Sequence, residues 1–148
     1  MSDDLQGVLV VALEQAVAAP YCTRLMAESG ARVIKLERPD GDFARGYDGI
    51  LDGDSAYFVW LNSGKESLVV DLANPEDKKL LQSILLKADV FIQNLRPGAA
   101  DKLGFSYEDV KTINPRIIMC SISGYGSEGS YSKMKAYDAL IQAESGLC

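Results

Sequence analysis

Residues 7–37 decide the fold, and they read GVLVVALEQAVAAPYCTRLMAESGARVIKLE. Residues 7–13 are continuously apolar, which is typical of a strand covered on both faces of a parallel sheet. Pro20 suits a first helical turn, apolar residues then recur at helical spacing, and Gly30 is a helix stop. Residues 32–37 predict a second strand. The stretch is therefore a βαβ unit, for which a right-handed crossover is expected.

The same alternation continues along the chain. Further strands are predicted at residues 66–72, 88–93 and 116–122, and helices begin at Asn74-Pro75 and Ser106 and span 137–147. The buried stripe of the helix after Pro75 is expected to be Leu80, Leu81, Ile84 and Leu85. Residues 38–64 hold five of the thirteen glycines and predict a loop with one or two irregular turns. The predicted fold class is α/β, with an open, mostly parallel, doubly wound (Rossmann-like) sheet, and residues 1–148 form one domain.

Composition excludes several classes of function. The 148 residues contain no histidine, which removes Ser-His-Asp and Cys-His catalysis and histidine zinc sites. Cys22, Cys120 and Cys148 lack a CxxC pair, so we expect reduced structural thiols and no metal site. A net charge of −6 disfavours nucleic acid as a partner. No apolar run is long enough for a membrane span and the N-terminus is acidic, so the expected location is cytoplasmic, with no membrane partner.

Three glycine-rich or basic features are candidates for anion binding. Gly124-Tyr-Gly126-Ser-Glu-Gly129 follows a predicted strand and matches the GxGxxG dinucleotide pattern, but the next helix starts too late to face a pyrophosphate. A flexible or ligand-covering loop is the preferred interpretation. Asn62-Ser-Gly-Lys65 is a turn whose simplest interpretation is a solvated loop end. Arg38, Lys102 and Lys135 could form an anion cradle only if the fold brings them into one crevice.

Short segments in a fixed order span nearly the whole chain: Ala18-Ala-Pro20, residues 25–31 and 33–39, Gly41-Asp42, Arg45-Gly46, Tyr57-Phe58, Asn62-Ser-Gly-Lys65, Ala88-Asp-Val90, Asn94-Leu-Arg-Pro-Gly98, Leu103-Gly104, Asn114-Pro-Arg-Ile117, Ser123-Gly-Tyr-Gly126 and Tyr137-Asp138. Together they resemble the class III CoA-transferases, a family that includes formyl-CoA and carnitine CoA-transferases and the α-methylacyl-CoA racemases. The resemblance implies a doubly wound domain that binds coenzyme A or an acyl-CoA as a substrate. It also implies a small carboxylic acid as the second substrate and a homodimer of interlocked subunits when the protein is full length.

By position, the resemblance assigns a CoA site. Its residues are Val17, Ala18, Arg38, Val70, Asp71, Leu72, Ala73, Asn94, Leu95, Arg96, Lys102, Lys135, Ala136, Tyr137 and Asp138. Guanidinium and ammonium groups among them suit the phosphates of CoA. Tyr57 and Tyr137 resemble residues that line the acyl pocket. Without the family, Tyr137 would be a packing residue and Asp138 a first-turn helix charge, and we keep that interpretation of the Asp138 side chain.

Departures from the family pattern narrow the reaction. Val17 stands where the formyl-CoA branch has glutamine, and Tyr47 stands where it has tryptophan, which disfavours formate and oxalate. The racemase branch has a histidine at the position of Tyr137, so acyl transfer is favoured over racemisation.

The resemblance also implies a nucleophile that is missing here. In the family an aspartate carries CoA as an aspartyl thioester, and the spacing places that aspartate beyond Cys148. The expectation is therefore a truncated N-terminal segment, inactive alone and without a catalytic residue of its own. A non-catalytic α/β interaction module and, with less support, a nucleotide-dependent oxidoreductase remain alternatives.

Overall fold

The computed structural model describes residues 3–147, and it is a parallel sheet with helices on both faces. The elements are β1 (Leu9–Leu13), α1 (Ala18–Glu28), β2 (Arg32–Glu37), a 3-10 helix (Phe43–Gly46), α2 (Ala56–Asn62), β3 (Glu66–Val69), α3 (Pro75–Leu85), β4 (Val90–Gln93), α4 (Ala99–Leu103), α5 (Tyr107–Ile113), β5 (Ile118–Ser121) and α6 (Asp138–Ser145). The strand order is β3-β2-β1-β4-β5, and all four strand pairs are parallel. The predicted fold class is confirmed.

Side chains alternate between two cores because successive strand residues point to opposite faces. Val11, Leu36 and Phe91 face α3 and α5, where they pack with Leu81 and Val110. The opposite face, with Val10, Val33 and Ile92 among its members, packs against α1. Both faces of the central strands are thus covered, as the continuous apolar run at residues 7–13 predicts.

Sequence signals at several helix ends are confirmed. Asn74 caps α3 through its side chain, which accepts a hydrogen bond from the Glu76 amide at 2.9 Å. Ser106 and Asp109 form a reciprocal capping box at α5. Asp138 lies in the first turn of α6, where its charge suits the helix dipole.

Three details differ from the sequence-based expectations. Residues 38–64 are more ordered than a loop, because Ser55 caps α2 by accepting a hydrogen bond from the Phe58 amide at 3.2 Å. The five-residue helix α4 was not predicted; it lies between Gly98 and Gly104, both with positive φ.

Leu80 is 44% exposed, so the buried stripe of α3 consists of Leu81 and Leu85 with Ile84 partly buried.

Cys22 and Cys120 are free thiols and pack in the α1 core, whereas Cys148 lies outside the described residues. Burial is the main cause that raises the pKa of the Cys22 thiol. None of the helices found between residues 3 and 147 combines the length and the apolar character that crossing a membrane requires.

Candidate functional site

The carboxyl ends of β1 and β4 form the switch point of the sheet. These neighbouring strands lead in opposite directions, β1 through α1 to β2 and β4 towards β5. The loops that follow them are tied together by Asn94, which accepts a hydrogen bond from the Gln15 amide at 2.9 Å and donates one to the Gln15 carbonyl at 2.8 Å. Ligands of open parallel sheets bind in the crevice at such a point, which makes this edge the candidate site.

The first turn of α1 opens onto the same edge. Val17 is its N-cap residue, and no side chain caps the helix there. Both Val17 and Ala18 are exposed. Since the first amides of a helix have no intrahelical acceptor, this turn can receive an anionic group.

Arg38 and the segment after β3 lie at the same edge of the sheet, on its β2–β3 side. Arg38, which follows β2 directly, lines an open cavity of about 270 Å³ together with Arg45, Ser67 and Val69. In the predicted CoA-binding run, Asp71 and Ala73 are exposed. The side chains of Val70 and Leu72 are buried in the core, so these two residues could reach a ligand only through their backbone.

The remaining predicted residues follow β4 and β5. Arg96 is exposed in the turn before α4, Leu95 is partly buried beside the core, and Lys102 is exposed in the last turn of α4. The run from Lys135 to Asp138, with Ala136 and Tyr137 between them, is exposed and leads into α6. Every predicted CoA-binding segment therefore follows the carboxyl end of a strand, although its role in binding stays a prediction.

Tyr57 belongs to a row of half-exposed aromatic side chains. Ring centroids 5.7–6.1 Å apart connect Phe43 to Tyr47, Tyr47 to Tyr57, Tyr57 to Trp60 and Trp60 to Tyr21 of α1. We call these five residues the aromatic row. Tyr137 makes no aromatic contact with it within residues 3–147, so the two predicted acyl-pocket residues are not in ring contact in this chain.

A cluster of buried charges lies beneath this edge, and the sequence patterns did not reveal it. Glu14, Lys35, Asp42 and Lys65 have side chains no more than 2% exposed. Lys65 donates to Glu14 at 2.8 Å, Lys35 donates to Asp42 at 2.9 Å, and the Lys35 ammonium lies 3.6 Å from Glu14. We call these four residues the ionic cluster. Two positive and two negative groups offset one another, as buried charges require.

The expectation that the Asn62-Ser-Gly-Lys65 turn is a solvated loop end is wrong, because the Lys65 side chain is buried. Its ammonium donates three hydrogen bonds, to Glu14, to the Pro20 carbonyl and to the Asn62 side chain. Burial lowers the pKa of Lys65 to about 8, with Glu14 opposing the shift. Lys65 lies between the end of α2 and the mostly exposed edge strand β3, so no local pattern in the sequence marks it as buried.

Glu37 and Arg45 extend the ionic cluster towards the cavity beside Arg38. Arg45 donates two hydrogen bonds of 2.9 Å to the Glu37 carboxylate, and Ser67 donates a third at 2.7 Å. Burial acts to raise the pKa of Glu37, but the hydrogen bonds and the Arg45 charge outweigh it and hold that pKa below its ordinary value.

Val33, Lys35 and Glu37 lie on the same face of β2. That face therefore changes from apolar to charged towards the carboxyl end of the strand.

The glycine motif after β5 does not open a helix. Eight residues lie between Gly129 and Asp138, the first residue of α6, which agrees with the argument against dinucleotide binding. A Cβ on Gly124 would overlap that of Ala136 and lie 2.9 Å from Ile141 Cδ1. This glycine therefore allows close packing of the segment that carries Lys135 and Asp138.

Comparison with known proteins identifies the family of this fold. The model of CoA-transferase family III matches residues 5–148. The chain belongs to CoA-transferase family III. It is 42% identical to the acetyl-CoA:oxalate CoA-transferase of Acetobacter aceti over 142 residues, and 41% identical to the formyl-CoA:oxalate CoA-transferase of Streptomyces coelicolor over 143 residues. These alignments cover 95% and 96% of this chain but only 36% and 35% of the relatives.

A solved structure supports the family assignment. A CAIB/BAIF family protein from Brucella suis matches this CoA-transferase family III chain with a TM-score of 0.93 and 37% identity. The match covers 99% of this chain and 40% of the other. The chain thus spans well under half the length of the family members that it resembles.

Proposed function

We propose that this chain forms the N-terminal, CoA-binding segment of an enzyme that moves CoA between carboxylic acids. The observation that carries the proposal is the convergence of the loop after β1 with the loop after β4, joined by Asn94 and Gln15 at the switch point. Membership of CoA-transferase family III supplies the ligand class.

The charges at this edge fit a ligand that carries phosphates. Arg38, Arg96, Lys102 and Lys135 are exposed on segments that follow β2, β4 and β5. Guanidinium groups can pair with phosphate oxygens through two hydrogen bonds, and ammonium groups act as point charges. The open first turn of α1 adds backbone donors at Val17 and Ala18. The residues assigned to the site include these four cations against two carboxylates, Asp71 and Asp138, although the chain as a whole is acidic.

The chemistry that we propose for the whole enzyme is covalent catalysis by an aspartate that follows residue 148. Its carboxylate attacks the donor acyl-CoA thioester, which forms a mixed anhydride and releases the CoA thiolate. The thiolate attacks the aspartyl carbonyl of the anhydride, which gives aspartyl-CoA and the donor acid. The two steps then run in reverse with the acceptor acid. Its carboxylate attacks aspartyl-CoA, which forms a second anhydride and releases the CoA thiolate. The thiolate attacks the acceptor carbonyl of that anhydride, which gives the new acyl-CoA and regenerates the aspartate.

Residues of this chain would contribute binding and orientation. The aromatic row offers an apolar wall beside α1 for the acyl group, with Tyr57 and Tyr137 as the predicted contacts. The two relatives named above are oxalate CoA-transferases. Val17 and Tyr47 differ from the formyl-CoA pattern, and we therefore propose an acid other than formate or oxalate. Homodimerisation of the whole protein stays a prediction.

Isothermal titration of the chain with CoA and with acetyl-CoA tests the binding proposal. The matched pair of variants is Arg38→Gln and Arg32→Gln, since Arg32 begins β2 and Arg38 follows its end, about 20 Å away. Loss of a charge-assisted hydrogen bond to phosphate should weaken binding by Arg38→Gln about 10- to 100-fold. Arg32, exposed and paired with Glu66, should not matter.

Three results would contradict the proposal. A folded wild-type chain that gives no heat with either ligand would favour the non-catalytic interaction module. Equal losses of affinity in Arg32→Gln and Arg38→Gln would move the site away from this edge. Thermal protection by NAD, without protection by CoA, would favour a nucleotide-dependent oxidoreductase.

A further inference from the structure

The loop that leaves β1 holds an unfavourable backbone conformation next to the candidate CoA site. Ala16 has φ +61, in the left-handed region that residues with a Cβ rarely adopt. The next two residues, Val17 and Ala18, are those assigned to CoA. Such a conformation persists only where surrounding contacts enforce it.

Contacts from both sides of β1 fix this loop. On the β4 side, Asn94 binds both the amide and the carbonyl of Gln15. On the β2 side, Asp42 Oδ1 accepts hydrogen bonds from the Ala16 amide at 3.2 Å and from the Ala44 amide at 3.0 Å. Asp42 thus links the strained loop to the 3-10 helix at Phe43–Gly46.

Asp42 is itself held rigidly. Its other oxygen, Oδ2, accepts a hydrogen bond from Lys35 Nζ at 2.9 Å, and its amide donates to Glu37 Oε2 at 3.2 Å. Its side chain is 1% exposed. Lys35 lies within β2 in register with Ala12 of β1, so the carboxylate is anchored to the sheet itself. Both oxygens are in use, which means that neither can be lost without releasing a partner.

We propose that Asp42 is a positioning residue whose Oδ1 sets the orientation of the Ala16 amide, and so the path of Val17 and Ala18 in the CoA site, while Lys35 holds Oδ2. This inference rests on the proposed function. A purely structural role predicts something different, because Asp42 would then serve only to cap the 3-10 helix. Loss of the cap would lower stability without a specific effect on the loop.

Asp48 provides the matched control. Its carboxylate also accepts backbone hydrogen bonds in the segment between β2 and β3, from Ala56 at 2.9 Å and Ile50 at 3.2 Å, and it accepts one from the Ser55 hydroxyl at 3.0 Å. No hydrogen bond joins it to the loop after β1 in the part of the chain that the structure describes. Asp48→Ala therefore disturbs the same segment without releasing Ala16.

The experiment measures two quantities on each variant: the CoA dissociation constant by calorimetry and the hydrogen exchange of the Ala16 amide by NMR. Asp42→Ala should lose the protection of Ala16 and bind CoA about tenfold more weakly, since ordering one residue of backbone on binding costs about that much. Asp48→Ala should keep the protection and bind within about twofold of the wild type.

A rescue variant keeps the test valid if Asp42→Ala folds poorly. In Asp42→Asn, the single amide oxygen should turn to Lys35 and leave Ala16 facing an NH₂ donor. The double variant Asp42→Asn with Lys35→Met removes one charge of each sign and frees that oxygen for the Ala16 amide. It should recover the protection of Ala16 and most of the CoA affinity relative to Asp42→Asn alone.

Two kinds of result overturn the inference. The first is unchanged Ala16 exchange in Asp42→Ala; the second is lost protection with CoA affinity equal to that of the wild type. If the wild-type chain binds no CoA, the proposed function fails. The positioning role in CoA binding then fails with it, while the exchange data still report whether Asp42 holds the loop, so the two failures are distinguishable.

Discussion

Replacing Glu14 with Gln removes the negative charge that faces two buried lysines. Glu14 has a fully buried side chain, which accepts hydrogen bonds from Lys65 at 2.8 Å and from the Thr23 hydroxyl at 2.7 Å. Lys35 lies 3.6 Å away. Gln has the same shape, and its oxygen can still accept from Thr23, but its NH₂ group then replaces the acceptor at Lys65, so the substitution removes the charge and the hydrogen bond from Lys65.

The ordinary cost of leaving a buried charge without its partner is about 3–5 kcal/mol. The cost at Lys65 is lower, because burial has already reduced the pKa of this lysine to about 8 and Lys65 can become neutral instead of remaining charged without its partner. At pH 7, which is one pH unit below that pKa, removing the proton costs about 1.4 kcal/mol, and this is the most that Lys65 can add to the cost of the substitution. Lys35 keeps its 2.9 Å contact with Asp42 but loses the attraction of the Glu14 charge. This loss adds about 1 kcal/mol to the cost of the substitution. The expected loss of unfolding free energy is therefore about 2 kcal/mol at pH 7.

The same reasoning fixes the pH dependence. The pKa of Lys65 is lower in the folded chain than in the unfolded chain, so the unfolded chain binds more protons between about pH 8 and pH 10.5, and wild-type stability rises with pH there. Without Glu14 the folded pKa falls further, and the rise begins at lower pH. The cost of Glu14→Gln should therefore shrink by about 1.4 kcal/mol per pH unit up to pH 8 and then level off.

Urea unfolding at pH 6, 7, 8 and 9 measures these differences, with the fluorescence of Trp60, the one tryptophan, as the probe. Glu66→Gln is the control, because it breaks an exposed ion pair with Arg32 and should change stability little, with no slope between pH 6 and 9. A cost of about 4 kcal/mol that is independent of pH would refute the neutralisation of Lys65. A cost near zero at pH 6 would show that Glu14 does not compensate the lysines.

Three further substitutions test other parts of the fold. Gly124→Ala should cost about 1–3 kcal/mol by overlap with Ala136 and weaken CoA binding in calorimetry, whereas Gly49→Ala, which has open space around it, should do neither. Ser106→Ala removes the cap of α5 and should lower Tm by about 3 °C in calorimetry; an unchanged Tm would mean that the capping box contributes nothing. Asn114→Ala should cost about 1–3 kcal/mol in urea unfolding, because its amide donates to the carbonyls of Leu85 at 3.0 Å and Ala88 at 2.8 Å.

The order of the large elements could be read from the sequence because each carries a local signal. A continuous apolar run predicts β1, and Asn74-Pro75 and Ser106 mark the starts of α3 and α5. Short elements gave weaker signals. The seven residues of α2 and the five of α4 are too few for helical periodicity, and nearby glycines favour a loop instead.

The candidate site divides in the same way. The segments that follow the strands could be assigned from a resemblance, since in a parallel sheet all of them reach one edge. The sequence could not show which side chains are exposed at that edge, because burial depends on packing from elements that are distant in the chain. Val70 and Leu72 turned into the core for this reason, while Asp71 between them stayed exposed.

The sequence by itself determined a parallel α/β sheet, the lack of histidine within these 148 residues and a family resemblance, because these depend on local patterns and composition. Only the tertiary structure decided that Lys35 and Lys65 are buried against Glu14 and Asp42. Glu14 and Lys65 are far apart in the chain, and a charged side chain carries no local mark of burial. The fold alone brings such groups to within hydrogen-bond distance, where their attraction offsets the cost of removing them from water.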